Sequence, residues 1–495
     1  MIRRQRTLAS CALVLALAAA TAGCGRTLAR PERSFTVAAP EAWTGGETLP
    51  EASEGDWWAY FADPRLDRAI SQALTYNHDL RAAAARVDAA QAEARIAGAA
   101  ELPEIDLTLN RGRQRQNFVG FPIPGAEGSV LSRTYTNAGL SLALRWEADV
   151  WGRVKSGKLA AMAQTQVRQA DLAGVRLSLS GQTAKAWFAA IEARRQVGIA
   201  RASLDSYRFS AERVRARFES GIRSPLDLRL ALSELARAEA LLEQRREEAD
   251  RALRGLEILV GRYPQADYEL AEDLPAVPSG VPAGLPAELV HRRPDLAASE
   301  RQLLVADARI AQAKADLRPR FSLTSATGTS SNTLQDLLNN DVFVWSFLGG
   351  VVQPIFNRDR LKATVSQNEA LAREAAASYE GSILAAYNEV ESALAAEDVL
   401  ARREKALEEA TKQSLAARDL AEQRYRLGLE DIITLLSSQR TALDSESQLL
   451  TVRRLRLDNR VNLHLALGGG FRMADLPPLP GASGPVLQPT AGDTL

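Results

Sequence analysis

Long stretches of the chain carry helix-forming residues without interruption and predict helices of unusual length. Residues 153–219 contain no proline and are rich in Ala, Arg, Gln and Leu, and no proline occurs between Ile355 and Leu476. Helices at 153–219 and 357–427 would each extend about 100 Å, because an α-helix rises about 1.5 Å per residue. Shorter helical patterns occupy 79–101, 226–260, 295–317 and 430–466. The pairing of long and short helices favours hairpins with coiled-coil packing.

Four short segments show a different pattern, in which apolar and polar residues alternate. They lie at about 104–112, 137–146, 320–328 and 343–353. In the first segment Ile105, Leu107 and Leu109 alternate with polar side chains. Such alternation is typical of transmembrane barrel strands, and half-buried strands of soluble proteins share it. Because a membrane barrel needs at least about eight strands, four strands per chain predict closure by oligomerisation.

Matched motifs indicate that the chain is internally duplicated. RFESG at 217–221 and RYRLG at 424–428 share an arginine, an aromatic residue and a glycine at an offset of 207 residues. Asp-Leu precedes a proline by 24 residues in both halves, at 79–103 and 295–319. We therefore predict an N-terminal segment at 25–62, a first repeat at 63–261, a linker at 262–284, a second repeat at 285–468 and a disordered tail at 473–495.

The N-terminus has the parts of a secretory signal peptide. Three arginines lie within the first six residues, residues 8–20 are largely apolar, and small residues precede Cys24. This arrangement resembles the cleavage box of bacterial lipoproteins, which implies removal of residues 1–23 and acylation of Cys24. The alternative is an ordinary signal peptide with an incidental cysteine. Cys11 would leave with the signal, so the mature chain would form no internal disulfide.

Composition and charge argue against several classes of function. Lys and Arg total 61, as do Asp and Glu, so the formal net charge is zero and no nucleic-acid partner is expected. The three histidines, at 78, 291 and 464, are isolated and lack metal-ligand spacing. No glycine-rich phosphate loop or nucleophile motif lies between a strand and a helix. We therefore expect no enzymatic activity, cofactor or metal.

Three motifs resemble one known family. They are WWAYFADPRLDRAI at 57–70, LPAELVHRRPDLAASERQLLVADARI at 285–310, and RYRLG to LALGGG at 424–470. Together they resemble the outer-membrane efflux lipoproteins of the TolC/OprM/NodT type. The resemblance implies an internally duplicated α+β membrane protein that forms a homotrimer. Each protomer would give four transmembrane β-strands to a shared barrel of twelve, continued by a periplasmic α-barrel of helical hairpins.

The resemblance also implies a function and partners. The trimer would be the exit duct of a tripartite efflux pump and would passively conduct drugs or other small molecules. Its partners would be a periplasmic membrane-fusion adaptor, an inner-membrane pump of the RND type and outer-membrane lipid. The protein would sit in the bacterial outer membrane, anchored through Cys24 and extending into the periplasm. Two alternatives remain: a duct for type I protein secretion, and a periplasmic coiled-coil adaptor, which would carry one hairpin instead of two.

The hairpin turns would form the periplasmic gate of such a duct. Gly221 and Gly428 permit the positive φ of a sharp reversal, and they also suit ordinary helix C-caps. Hydroxyls at the second hairpin would replace the acidic residues of the family, while two leucines offer an apolar constriction. For Asp227 the alternative is a helix N-terminal acid, and for the hydroxyls plain helix-surface residues. The candidate gate residues are Asp227, Tyr425, Glu430, Thr434, Leu435, Leu436 and Ser437.

Overall fold

The computed structural model describes most of the two repeats. The described residues are 37, 39–44, 56–118, 130–278, 280, 284 and 286–479. The predicted signal peptide with Cys24, and the part of the predicted tail from 480 to 495, lie outside these residues. The two halves of the chain can therefore be compared element by element.

The same succession of elements occurs in each half of the described chain. The first half has α1 (Pro64–Tyr76), α2 (His78–Ala99), β1 (Glu104–Phe118), β2 (Leu131–Ala148), α3 (Arg153–Glu219) and α4 (Pro225–Leu259). The second has α5 (Leu289–Arg292), α6 (Pro294–Ala315), β3 (Arg320–Ser331), β4 (Phe343–Val352), α7 (Arg358–Arg426) and α8 (Ile432–Ala466). The long helices α3 and α7 contain 67 and 69 residues, and α4 and α8 contain 35 each.

Glycine turns reverse the chain between the helices of each hairpin. Gly221 has φ of 73° and Gly428 has φ of 76°, in the left-handed region that costs glycine little. The N–H of the following residue then reaches back to a carbonyl of the preceding helix. Ile222 donates to Arg217 O at 2.8 Å and Leu429 donates to Arg424 O at 2.9 Å. Both turns therefore close with the same six-residue Schellman hydrogen bond.

The four strands form one antiparallel sheet in the order β1-β2-β3-β4. A hydrogen-bonded row across the sheet contains Leu107, Leu142, Thr327 and Trp345, so these side chains share one face. That face is strongly exposed, with Leu107 at 71 % and Trp345 at 73 %. We call it the apolar face; its large apolar members are Ile105, Leu107, Leu109, Leu140, Leu142, Leu144, Trp146, Phe321, Leu323, Phe343, Trp345, Phe347 and Val351.

The first two strands are longer than their apolar alternation predicts. The alternation covers about 104–112 and 137–146, but pairing continues from Asn110 opposite Gly139 to Phe118 opposite Leu131. The side chains of this extension are mostly polar. Backbone N–H and C=O groups pair irrespective of side-chain polarity, so the ladder persists where the apolar pattern ends.

Three segments outside the long hairpins pack against them about half-way along α3, and we call these segments the collar. The collar comprises residues 39–44, 56–61 and 262–278 in the described part of the chain. Trp57 is buried with Trp187 and Phe188 of α3 in the largest apolar cluster. On the other half, Thr44 donates to the Glu391 carboxylate of α7 at 2.9 Å. The collar therefore joins both repeats at the same level.

No helix in the described segments is both long enough and apolar enough to cross a bilayer.

Candidate functional site at the hairpin ends

The ends of the two hairpins pack together around a buried tyrosine. Tyr425, at the end of α7, is 1 % exposed. Leu435, at the start of α8, is also 1 % exposed and lies in the same cluster. Val214 of α3 and Ala231 of α4 complete the contact from the first hairpin. The hairpins of the two repeats are thus joined by a small apolar core at their ends.

Arg217 ties the first hairpin to the second. Its guanidinium donates to the backbone oxygen of Tyr425 at 3.1 Å and to that of Arg426 at 2.8 Å. These carbonyls belong to the last turn of α7, where helix carbonyls lack partners within the helix. The Arg217 guanidinium carbon also lies 5.1 Å from the centroid of the Tyr425 ring, within range of a cation–π contact. Arg217 therefore acts as a C-cap for a helix of the other repeat.

Arg223 and Asp227 extend this cluster on the first hairpin. The Arg223 guanidinium lies 3.9 Å from the Asp227 carboxylate, and its carbon lies 5.5 Å from the Tyr425 ring centroid. Burial raises the pKa of the Tyr425 hydroxyl, while the charges of Arg223 and Arg217 oppose that shift. The hydroxyl is therefore neutral at physiological pH, and the positive charges face an uncharged ring.

The second hairpin has a different arrangement at the matching positions. Arg424, the repeat equivalent of Arg217, forms a local ion pair with Glu430 at 3.3 Å. Asp431 accepts the Thr434 N–H at 2.7 Å and caps α8. Hydrogen bonds from Thr434 hold the pKa of the Asp431 carboxyl below its usual range. The cross-hairpin arginine is therefore present on one repeat only.

The candidate residues from the sequence are placed in three settings. Asp227 and Tyr425 meet in the arginine cluster, as described above. Leu435 is in the buried core, and Leu436 is half-buried against it. Most of the exposed apolar surface at the hairpin ends therefore comes from other residues. Thr434 and Ser437 are exposed on α8. The exposed apolar side chains of the ends are Ile222, Leu226, Leu427, Leu429 and Ile433.

Sequence reasoning missed Arg217 and Arg223 as site residues. Arg217 opens the repeated motif, so it was visible as part of the duplication. Its partners are main-chain oxygens 208 and 209 positions away, which leave no side-chain signature. A charged residue one turn before a C-terminal glycine is the only available signal, and it equally suits local helix capping.

The HRRPDL motif builds a structural junction. Arg293 is buried and forms ion pairs with Asp295 at 2.8 Å and Glu389 at 2.6 Å. It also donates to the Ala466 carbonyl at the end of α8, at 3.0 Å. One side chain thus joins α6, α7 and α8, which fixes the second repeat at the level of the collar.

These features define a class of protein: an elongated bundle of duplicated hairpins that pack together at one end and carry an exposed apolar sheet at the other. The family model described as "Outer membrane efflux protein" matches residues 69–262 and 285–469. The chain belongs to this family. The predicted family and fold class are thereby confirmed.

Individual relatives agree with this assignment. The pyoverdine export outer membrane protein OpmQ of Pseudomonas putida is 34 % identical over 89 % of this chain and 94 % of its own. The outer membrane protein OprJ of Pseudomonas aeruginosa is 32 % identical over 93 % and 95 %. The open state of the MtrE outer membrane channel of Neisseria gonorrhoeae has a TM-score of 0.76 and 27 % identity, covering 90 % and 98 %. This chain is accordingly an outer-membrane efflux protein.

Proposed function

We propose that the protein is the exit duct of a tripartite efflux pump and conducts small molecules passively out of the periplasm. The closed hairpin ends carry this proposal, because Arg217 and Tyr425 hold together the two hairpins of one protomer. A duct that must not leak needs a closed resting state that a partner can open. The solved open state of MtrE, a channel of the same fold, supports such a transition.

The sheet supports assembly as a homotrimer. Within one chain β1 and β4 each pair with a single strand, so each leaves one edge available. Three copies would pair β1 of one protomer with β4 of the next and close a barrel of twelve strands. The exposed apolar face would then contact lipid, as expected of a barrel in the outer membrane.

The hairpin ends would form the periplasmic gate. In this proposal the Arg217 contacts with α7 are the latch, and Asp227 holds Arg223 beside the Tyr425 ring. Gly221 and Gly428 set the turns, and Thr434 and Ser437 present hydroxyls on the exposed surface of α8. The exposed apolar side chains at the ends suit contact with a periplasmic adaptor, which would couple the duct to an inner-membrane pump, with the RND type favoured. Cys24 would carry the lipid anchor.

Single-channel recording in a planar bilayer tests the latch. Wild type should show brief openings from a mostly closed state. Arg217→Met removes from each protomer two hydrogen bonds worth about 1 kcal/mol each but keeps the aliphatic stem, so openings should become at least roughly thirty times more frequent. The matched control is Arg424→Met, which loses only an exposed local ion pair and should change little.

The outcomes separate the latch from the duct. Equal effects of the two substitutions would remove the latch and leave the duct. A purified wild-type protein that inserts into the bilayer and never conducts, alone or with either substitution, would overturn the proposed function itself.

A further inference from the structure

The outward face of β1 changes abruptly from apolar to cationic. Ile105, Leu107 and Leu109 are followed on the same face by Arg111, Arg113 and Arg115, because alternate residues of a strand share a face. All three arginines are exposed. The Cα atoms of successive arginines therefore lie about 7 Å apart along the strand. These three arginines, which we call the arginine ladder, begin one step beyond the row in which Leu109 lies opposite Leu140.

The position of the arginine ladder along β1 determines where it would lie relative to the membrane in the assembled duct. The ends of β1 and β2 at Glu104 and Ala148 adjoin α2 and α3, so they face the periplasmic helices. The arginines lie toward the opposite end of β1. With the apolar face in lipid, they project outward at the external boundary of the hydrocarbon layer. This step rests on the proposed function.

Charged residues near the helical end of the sheet are ion-paired, whereas the arginines at the distal end of β1 are not ion-paired with any residue that the structure describes. Near the helices, Arg153 pairs with Glu147 at 2.8 Å and Arg320 with Asp316 at 2.6 Å. At the distal end, residues 110–118 and 131–141 include no acidic residue. Among the residues that the structure describes, Arg111 and Arg113 have no ion-pair partner, and Arg115 donates only to the Ser132 hydroxyl, at 2.9 Å.

We infer that Arg111, Arg113 and Arg115 bind phosphate groups of the glycolipid in the outer leaflet. A guanidinium offers two parallel N–H donors that match phosphate oxygens, and its charge is permanent. The adjoining apolar rows would contact the acyl chains of the same lipid. Along the membrane normal, an apolar surface for acyl chains is therefore followed by a cationic surface for phosphates, which is the order of these groups in an anionic lipid. Each trimer would hold three such sites.

Native mass spectrometry of the trimer, exchanged from detergent with added diphosphorylated lipid A, tests this inference. The triple variant Arg111→Gln, Arg113→Gln, Arg115→Gln should retain at least about tenfold less lipid A than wild type. Arg133→Gln is the matched control, since Arg133 lies on the other face at the same height, opposite Gln116, and should behave like wild type. The single variant Arg113→Gln serves if the triple variant does not assemble.

The source of the phosphate is separated by competition. Millimolar inorganic phosphate should not displace lipid A, and phosphatidylglycerol should be retained less well. Displacement by free phosphate, or equal retention by wild type and the arginine variants, would overturn the inference. Single-channel recording on the same samples keeps the two claims apart. Conducting trimers without selective lipid A retention contradict only this inference, whereas absence of conductance contradicts the proposed function.

Discussion

His464 illustrates how one buried side chain couples stability to pH. Its ring stacks on Trp57 with 5.5 Å between ring centroids, and it is 6 % exposed. Burial lowers the pKa of His464 to about 4, and the charge of Arg460 adds to that shift. The folded protein therefore holds a neutral imidazole where α8 meets the collar.

The free energy of unfolding should fall as the pH drops from about 6.5 to about 4. A depressed folded-state pKa gives stability that is fully present above the unfolded value and is lost as protons bind the unfolded state first. The shift corresponds to roughly 3 kcal/mol per protomer. Thermal unfolding across this range should show the slope in wild type and in the exposed-site control His78→Gln. It should be much flatter in His464→Gln, and an unchanged slope there would refute the assignment.

Two glycines with similar backbone angles should differ in their tolerance of a side chain. Gly468 has φ of 91°, and a Cβ there would lie 1.9 Å from the Arg292 carbonyl oxygen. Gly221 has φ of 73° with open space around it. We expect Gly221→Ala to cost about 1 kcal/mol, from conformation alone, and Gly468→Ala several times more. Urea unfolding of the purified protein measures both, and equal costs would contradict the close approach at Gly468.

At the scale of elements, one stretch of the contact between α3 and α8 is polar, between the apolar clusters at the hairpin ends and at the collar. Gln439 donates to the hydroxyls of Ser206 and Ser210 at 2.8 and 3.0 Å. Further along, Ser447 donates to Gln196 at 2.9 Å. Because water can replace such hydrogen bonds, the two repeats can separate here without exposing a large apolar surface.

Removing part of this polar contact should favour the open duct. Gln439→Leu loses two hydrogen bonds near the hairpin ends of each protomer, which is worth about 1 to 2 kcal/mol per protomer and should raise the frequency of openings at least roughly fivefold. Gln413→Leu is the control, because Gln413 bonds only to Glu409 on the exposed side of α7. Single-channel recording compares them. An unchanged opening frequency in Gln439→Leu would mean that this contact does not take part in gating.

The sequence predicts the elements better than it predicts their contacts. Proline-free runs and glycine turns define the hairpins, since both act on the local backbone. The extension of β1 to Phe118 was not predicted, because its outward residues are arginines and alternation is recognised from apolar side chains. The burial of Leu435 was not visible either. Its neighbour Leu436 is the same residue type and differs only in the direction in which it projects from α8. Packing of α8 against α3 determines which of the two leucines is buried.

At the scale of the whole molecule, the two repeats have diverged at their ends. Arg217, Ser224 and Asp227 stand at the same offset from Arg424, Asp431 and Thr434. The first arginine bonds across to α7, whereas its counterpart pairs with the neighbouring Glu430. A trimer of such chains would have a sixfold pattern of helices and only threefold symmetry in its closing contacts.

Attachment of the whole protein to the membrane is tested at Cys24. Cells fed radiolabelled palmitate should label the wild-type protein and Cys11→Ala, the control within the signal peptide. Cys24→Ala should remain unlabelled. Mass spectrometry of the N-terminal peptide should give a diacylated or triacylated Cys24. A wild-type protein that is cleaved at another residue and carries no label would contradict the lipid anchor.

The Arg217 contacts also set how often an idle duct would leak. Two hydrogen bonds in each of three protomers, at about 0.5 to 1.5 kcal/mol each, bias the closed state by roughly 3 to 9 kcal/mol. If all three ends move together, between about one duct in a hundred and one in a million is open at any moment. An adaptor that gains a few kcal/mol on the open ends can invert that ratio. Cells that carry Arg217→Met should therefore admit bulky antibiotics before any pump is expressed.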